Sequence, residues 1–300
     1  MIVVIGEILY DVFDDYERIG GAPANFAMHL KQLGLPVRLL TRVGDDARGR
    51  TILQLLETRG FDLDDVQVDS RHPTGTVRVA LDQEGVPQFD IRTDVAYDYL
   101  NINACAPEMW REVRMVYIGS LVQRTARVSD GMKRFMTART GGAEVFCDIN
   151  LRPPHYRQET MAACLLYADI LKLNTDELAQ IQSSFGGPAN EAALVEWIMA
   201  RFAIGTLVLT HGAKGSTLYT AGQTINAAPP EEGSVVDTVG AGDAYAAVVA
   251  AGLVRKLDPA RVVSWATQFA AHICTLPGAI PDDPAVYRWL QRMMEGKIDG

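Results

Sequence analysis

Asp237-Thr238-Val239-Gly240-Ala241-Gly242-Asp243 is the stretch of this chain best suited to chemistry. Behind it runs Ala246 to Val254, a helix of small residues; ahead of it lies Ser234-Val235-Val236, a short apolar approach. A glycine-rich turn opening a helix leaves backbone N–H groups without acceptors, and the helix dipole adds positive potential there. The spacing therefore predicts an anion site with the Asp243 carboxylate in the first helical turn. The expectation is a phosphoryl group held by this turn, with Asp243 taking the proton of an attacking hydroxyl. The same helix start is expected to keep Asp243 ionised, so that it acts through position more than basicity.

Other polar residues fall at the ends of predicted strands. Ile2 to Ile5 is a β-branched run of the kind buried on both faces of a parallel sheet. Asp11 follows it, on the side where ligands bind in open α/β sheets. It is suited to accept hydrogen bonds from a polyol and equally to be a turn carboxylate. Gly20-Gly21-Ala22-Pro23-Ala24-Asn25 opens an amphipathic segment, Phe26 to Gly34, with Pro23 fitting a first helical turn. Gly21 permits close backbone approach, and Asn25 offers an amide to the ligand of Asp11. Asn150 and Arg152 follow the strand Glu144–Ile149. Asn174 with Glu177 reads first as a capping box, compatible with a place near metal-bound phosphates. Thr210, Gly212 and Gly215 lie in a loop after Thr206–Leu209 that lacks the Walker spacing and reads as a hairpin turn able to line a nucleotide site.

These residues need a scaffold. Apolar runs at 37–43, 115–118, 144–149, 170–173 and 206–209 alternate with helical stretches, including 47–59, 259–273 and 284–294. Alternation of this kind predicts an α/β fold with a mainly parallel sheet flanked by helices. Residues 76–92 break the rhythm as a hairpin turning at Gln83-Glu84-Gly85, an expected lid with Arg92 at its end. Arg92 either reaches the substrate or is solvated.

Composition narrows the classes. The chain has 300 residues, 48% of them hydrophobic, and a net charge of −9. That charge argues against a nucleic-acid surface and suits a protein handling small molecules. Cys105, Cys147, Cys164 and Cys274 form no metal or redox spacing and read as reduced, mostly buried thiols, so a cytoplasmic location is expected. Neither a signal peptide nor a membrane span is apparent. The five histidines have no metal spacing, and no hydrolase elbow or dinucleotide fingerprint is present.

Taken together, the 237–243 stretch, Gly20–Asn25, and Arg42-Val43-Gly44-Asp45-Asp46 with Gly49 resemble the two signatures of the ribokinase-like (PfkB) carbohydrate kinase family. Gly-Gly-Ala-Pro-Ala-Asn with Asp148-Ile149-Asn150-Leu151-Arg152 is most similar to the fructokinase branch. The resemblance implies one three-layer ribokinase-like domain over 1–300, with a small β lid from about 9–20 and 72–98. It implies ATP-dependent phosphorylation of a sugar hydroxyl. Asp243 would be the base, and the N–H groups of Gly240, Ala241 and Gly242 the anion hole. Asp11, Gly21, Asn25, Arg92, Asn150 and Arg152 would hold the sugar. Asn174, Thr210, Gly212, Gly215, Thr238, Gly240 and Gly242 would line the ATP site, with Glu177 acting indirectly on Mg²⁺. A monovalent cation such as K⁺ is expected near Asp237, and relatives suggest a homodimer through lid edges. Alternative substrates are another sugar, a sugar acid of the 2-keto-3-deoxygluconate type or a ribonucleoside; a silent sugar-binding regulator is the alternative of another class. The chain departs from the family pattern twice. Only Val12 to Ile19 separate Asp11 from the Gly-Gly turn, and Val239 replaces a hydroxyl or small residue, which bears on the cation or nucleotide surroundings.

Overall fold

A computed structural model of the protein describes residues 1–81, 87–102, 112–139, 142–230 and 235–296. In chain order the elements begin with β1 (Ile2–Ile5), β2 (Leu9–Val12), β3 (Glu17–Gly20), α1 (Ala22–Gln32), β4 (Val37–Gly44) and α2 (Ala47–Thr58). Then come β5 (Val66–Asp69), β6 (Gly75–Leu81), β7 (Pro87–Ile91), β8 (Met115–Ile118), α3 (Ala126–Thr137), β9 (Glu144–Asp148) and α4 (Gln158–Tyr167). The rest comprises β10 (Ile170–Asn174), α5 (Thr175–Phe185), α6 (Glu191–Phe202), β11 (Thr206–Thr210), β12 (Ser216–Thr220), β13 (Thr224–Ala227), α7 (Ala241–Val254), α8 (Pro259–Ile273) and α9 (Ala285–Met294).

Among the described residues a nine-stranded sheet runs β13-β12-β11-β10-β9-β8-β1-β4-β5. Its seven strands from β11 to β5 are parallel, and β12 and β13 continue it antiparallel. The β-branched run of β1 has a direct structural meaning. Ile2 and Val4 enter one core with α1, α7 and α8, while Val3 and Ile5 enter the other with α3 to α6. A strand buried on both faces cannot alternate polar with apolar residues, so the run is continuous. The result is the three-layer, mainly parallel ribokinase-like architecture expected from the sequence.

The excursion is a four-stranded sheet, β3-β2-β6-β7. Its outer pairs are antiparallel, whereas β2 and β6 run parallel. Leu9, Val77, Val79 and Ile91 give it a small core of its own. The turn expected at Gln83-Glu84-Gly85 lies outside the described residues, as does Cys105. Cys147 and Cys164 are buried, and Cys274 is half-buried. Val235 and Val236, expected as an apolar approach to the anion turn, are exposed instead, and Ser234 lies outside the described residues. No helix among the described residues is long and apolar enough to cross a membrane.

Candidate active site

The start of α7 is built around Gly240, the residue preceding the helix, with φ 79°. A Cβ there would lie 2.3 Å from the Cβ of Ala279, so both the backbone angle and the available space demand glycine. No side chain caps this end. Of the first-turn N–H groups, that of Ala241 makes a long 3.4 Å contact to the Thr238 carbonyl, while those of Gly242 and Asp243 have no intrahelical acceptors and require one from outside. Gly240, Gly242 and Asp243 line a cavity of about 310 Å³.

A second helix start converges on the same space. Gly21, at φ 106°, lets the chain pass the Glu7 carbonyl, which a Cβ would approach to 2.7 Å. One turn on, Asn25 Nδ2 donates to Asp243 Oδ2 at 2.8 Å. Asp243 is buried, at 8% exposure. Burial, followed by the charge of Asp148, pushes its pKa up to about 7 against the opposing effects of Asn25, Lys172 and Arg152. This corrects the expectation of a firmly ionised carboxylate. Desolvation of a buried acid exceeds what one helix terminus and one hydrogen bond return.

Asp11, half-buried in β2, also lines the cavity, and burial raises its pKa to about 6, with Asp237 adding and Arg152 opposing. Asn150 and Arg152 reach it from the turn after β9. That turn is held by Ser120 Oγ donating to the Asn150 carbonyl (3.1 Å) and Leu151 N–H donating to Glu177 Oε1 (3.0 Å). Arg152 Nη2 donates to Asn150 Oδ1 at 3.1 Å. From the small sheet, Leu9, Val77, Phe89 and Ile91 complete the wall. Arg92 does not join them: it is exposed and absent from the lining, and its carbonyl accepts from Arg124 Nη2 at 2.7 Å. Side chains alternate along a strand, so with Phe89 and Ile91 on the cavity face the next residue takes the other.

Sequence reasoning missed two residues, Glu7 and Lys172, and the ion pair that joins Lys172 to Asp148. Glu7 lines the cavity, is buried, and its Oε2 has no hydrogen-bond partner among the described residues. Burial raises its pKa to about 7. The strand-end rule that selected Asp11 applies equally to Glu7, two residues after β1. Lys172 and Asp148 form a buried ion pair, with Nζ 2.8 and 2.9 Å from the two carboxylate oxygens. A Cβ on Gly242 would lie 3.5 Å from this ammonium, so the pair sits beneath the helix start. The visible signal was a lysine inside the apolar run Ile-Leu-Lys-Leu.

The expected nucleotide residues lie along the neighbouring strand ends. Asn174 and Thr210 pair in register across β10 and β11, and Thr210 Oγ1 donates to the Leu173 carbonyl (3.2 Å). Gly212 and Gly215, both at positive φ, form the hairpin turn into β12. These four lie outside the cavity lining, whereas Thr238 is part of it. Asn174 and Glu177 form the capping box: Glu177 N–H donates to Asn174 Oδ1 (2.8 Å), and Asn174 N–H to Glu177 Oε2 (2.9 Å). With both oxygens of Glu177 accepting backbone N–H groups, the residue suits Mg²⁺ through water, as that strongly hydrated ion prefers. A second cavity, about 350 Å³, adjoins Asp98 and Arg124, but those two charges satisfy each other at 2.6 Å. Of these two cavities among the described residues, the first brings a carboxylate to a helix start that has no side-chain cap.

A parallel α/β sheet with an acid at such a helix start, beside a polyol-sized cavity, defines a phosphotransferase of the sugar-kinase class. The chain belongs to the pfkB family of carbohydrate kinases, whose family model matches residues 1–286. It is similar to a fructokinase of Klebsiella pneumoniae, 30% identical over 283 residues, covering 89% of each chain. A 5-dehydro-2-deoxygluconokinase of Bacillus licheniformis is 27% identical over 248 residues, covering 80% of this chain and 75% of the relative. Among solved structures, the fructokinase of Vibrio cholerae O395 with fructose, ADP and calcium bound superposes with a TM-score of 0.83. It is 25% identical, with 96% of this chain and 98% of that one covered.

Proposed function

We propose that the protein transfers the γ-phosphoryl group of ATP to a hydroxyl of a small neutral sugar, with Asp243 as general base. The observation that carries this reading is Asp243 itself: buried in the first turn of α7, bonded to Asn25, and sharing a cavity with Asp11. The sugar hydroxyl would donate to Asp243, and the transferred group would lie against the N–H groups of Ala241 and Gly242. Phosphoryl transfer depends mainly on positioning and on neutralising charge. The helix start supplies the second, and Mg²⁺ bound with the nucleotide would supply more, with Glu177 placed to hold it through water. A base with a pKa near 7 is matched to neutral solution, where about half of it is deprotonated and it is still able to hold the proton it accepts.

The lining argues for a polyol over an acid. Glu7, Asp11 and Asp243 present carboxyl groups, opposed by Arg152 alone among the lining side chains. Hydroxyl groups can donate to those carboxylates, whereas a substrate carboxylate would be repelled. The volume sits at the small end of ligand sites. Relatives that are fructokinases make fructose the first sugar to test. Arg152 keeps a sugar acid as the second reading, since a guanidinium there offers a carboxylate a partner. The small sheet would act as a lid, with Phe89 and Ile91 excluding water from the reacting atoms.

An ATP-consumption assay over fructose, other sugars, sugar acids and nucleosides tests the reading. Turnover of a neutral sugar is expected, and Asp243→Asn should lower it by about 10²–10⁴-fold while sugar affinity persists. Sugar binding with no turnover of any compound would leave a binding protein instead. Near-wild-type turnover in the Asn variant would remove Asp243 from the role of base.

A further inference from the structure

Strand β3 sends a charge across to the loop that precedes α7. Arg18 Nη1 donates to Asp237 Oδ2 at 3.2 Å. The guanidinium lies 4.7 Å over the ring of Tyr16, which stacks in turn on Phe13 at 4.4 Å. Asp237 has further donors: Val239 N–H reaches Oδ1 at 3.0 Å and Gly278 N–H reaches Oδ2 at 3.1 Å. The Cys274 carbonyl, the nearest backbone acceptor to this carboxylate's own amide, already takes the N–H groups of Val236 (2.8 Å) and Asp237 (3.1 Å).

A monovalent metal ion requires several oxygens turned toward it. Asp237 instead faces N–H donors, one of them a permanently charged guanidinium, so these residues fit an internal cation and not K⁺. We infer that Arg18 replaces a monovalent cation at Asp237, fixing the 237–240 loop from within the chain, so that turnover is independent of K⁺. This rests on the kinase reading above.

The short segment from Val12 to Ile19 explains why such a replacement is possible. It closes directly into the β2–β3 hairpin, in which Arg18 pairs in register with Asp11. A residue of the sugar-facing sheet is thereby tied to the phosphate-facing loop. The pair is partly exposed, at 38% and 23% of the two side chains, so its direct attraction is modest. Its effect is positional. Asp237 holds Val239 and Gly278, and the segment beginning at Gly278 carries Ala279, against which Gly240 packs. Thr238, Val239 and Gly240 all line the cavity. Loss of the guanidinium leaves a carboxylate without its cation beside that loop, where a K⁺ ion can then act.

The test compares wild type and Arg18→Ala with Tris-ATP, Mg²⁺ and the sugar turned over fastest, in KCl and in tetramethylammonium chloride of equal ionic strength. Wild type should run at the same rate in both salts. Arg18→Ala should be about tenfold slower in tetramethylammonium, the size of an ordinary coupling between sites, and should recover in KCl. In parallel melting curves without substrate, KCl should raise the midpoint of Arg18→Ala selectively and leave wild type unmoved. Activation of wild type by KCl, or an Arg18→Ala enzyme matching wild type in both salts, would overturn the inference. If no sugar is turned over by either protein, the kinase reading fails and the melting comparison still decides the role of Arg18.

Discussion

Asp243 is the residue on which the chemistry turns, and its environment sets a pH limb. With the carboxyl raised to about 7 by burial and Asp148, the rate should climb with pH below about 7 and flatten above it. The ionisable groups facing it are Asp148, Lys172, Arg152, Glu7 and Tyr117. Asp148→Asn removes a neighbour that raises the pKa and leaves Lys172, which lowers it. The limb of kcat/KM should therefore move to lower pH in that variant, with Asn still able to accept from the lysine. A limb at the same pH in both proteins would assign it to another group. Asp11, Asn25 and Asp243 were legible in sequence because each stands just past an apolar run or a glycine turn. Glu7 was legible by the same rule and was passed over, whereas Lys172 was not legible, because its meaning depends on which neighbours a buried side chain meets. The error at Arg92 has the same origin: position along a strand was readable, whereas the face required the parity fixed by Phe89 and Ile91.

The helix start before α7 makes a sharper demand on its glycines than the motif alone suggests. Gly240→Ala places an L-residue at φ 79° and its Cβ within 2.3 Å of Ala279. The conformation alone costs about 1–2 kcal/mol, and relief of the contact must move the loop that lines the cavity. Melting temperature should fall, and turnover should fall by more than sugar affinity. Gly242→Ala is the control for stability, because its Cβ would lie 3.5 Å from Lys172 Nζ, an ordinary contact at no unusual backbone angle. Equal melting temperatures for the two variants would contradict this account of the helix start. At this scale the sequence was most readable. Helix starts at Pro23 and at the Asn174–Glu177 box, and the strands at 2–5 and 115–118, follow from backbone preferences and continuous apolar runs. Exposure of Val235 and Val236 was not readable, because an apolar pair near a turn has no pattern that assigns it a face.

Across the whole molecule, alternation of strands and helices revealed the layers, but the site depends on contacts no local pattern contains. Asn25 meets Asp243 from 218 residues away, and Arg18 meets Asp237 from 219. Bringing acids together in one buried cavity has a consequence for folding. Glu7 and Asp243 are raised to about 7 and Asp11 to about 6, from ordinary values of 4.5, 3.8 and 3.8. The folded state therefore holds these protons more tightly than the unfolded chain. Their contribution to stability is complete below the ordinary values and is lost as pH rises through about 7. His29 works in the opposite sense: burial lowers it to about 3, so its contribution is complete above 6.5 and lost as pH falls. Asp69, lowered by hydrogen bonds and Arg42, likewise loses its contribution only in acid. Above 6.5 the loss from the cavity acids is unopposed by these groups. Without ligands, the melting midpoint should therefore fall from pH 6.5 to 8. The fall should be shallower in Asp243→Asn and shallower again when Glu7→Gln is added, since each removes a charge that burial disfavours. Midpoints falling in parallel for all three proteins would show that the cavity carboxyls are solvated at neutral pH and carry no such strain.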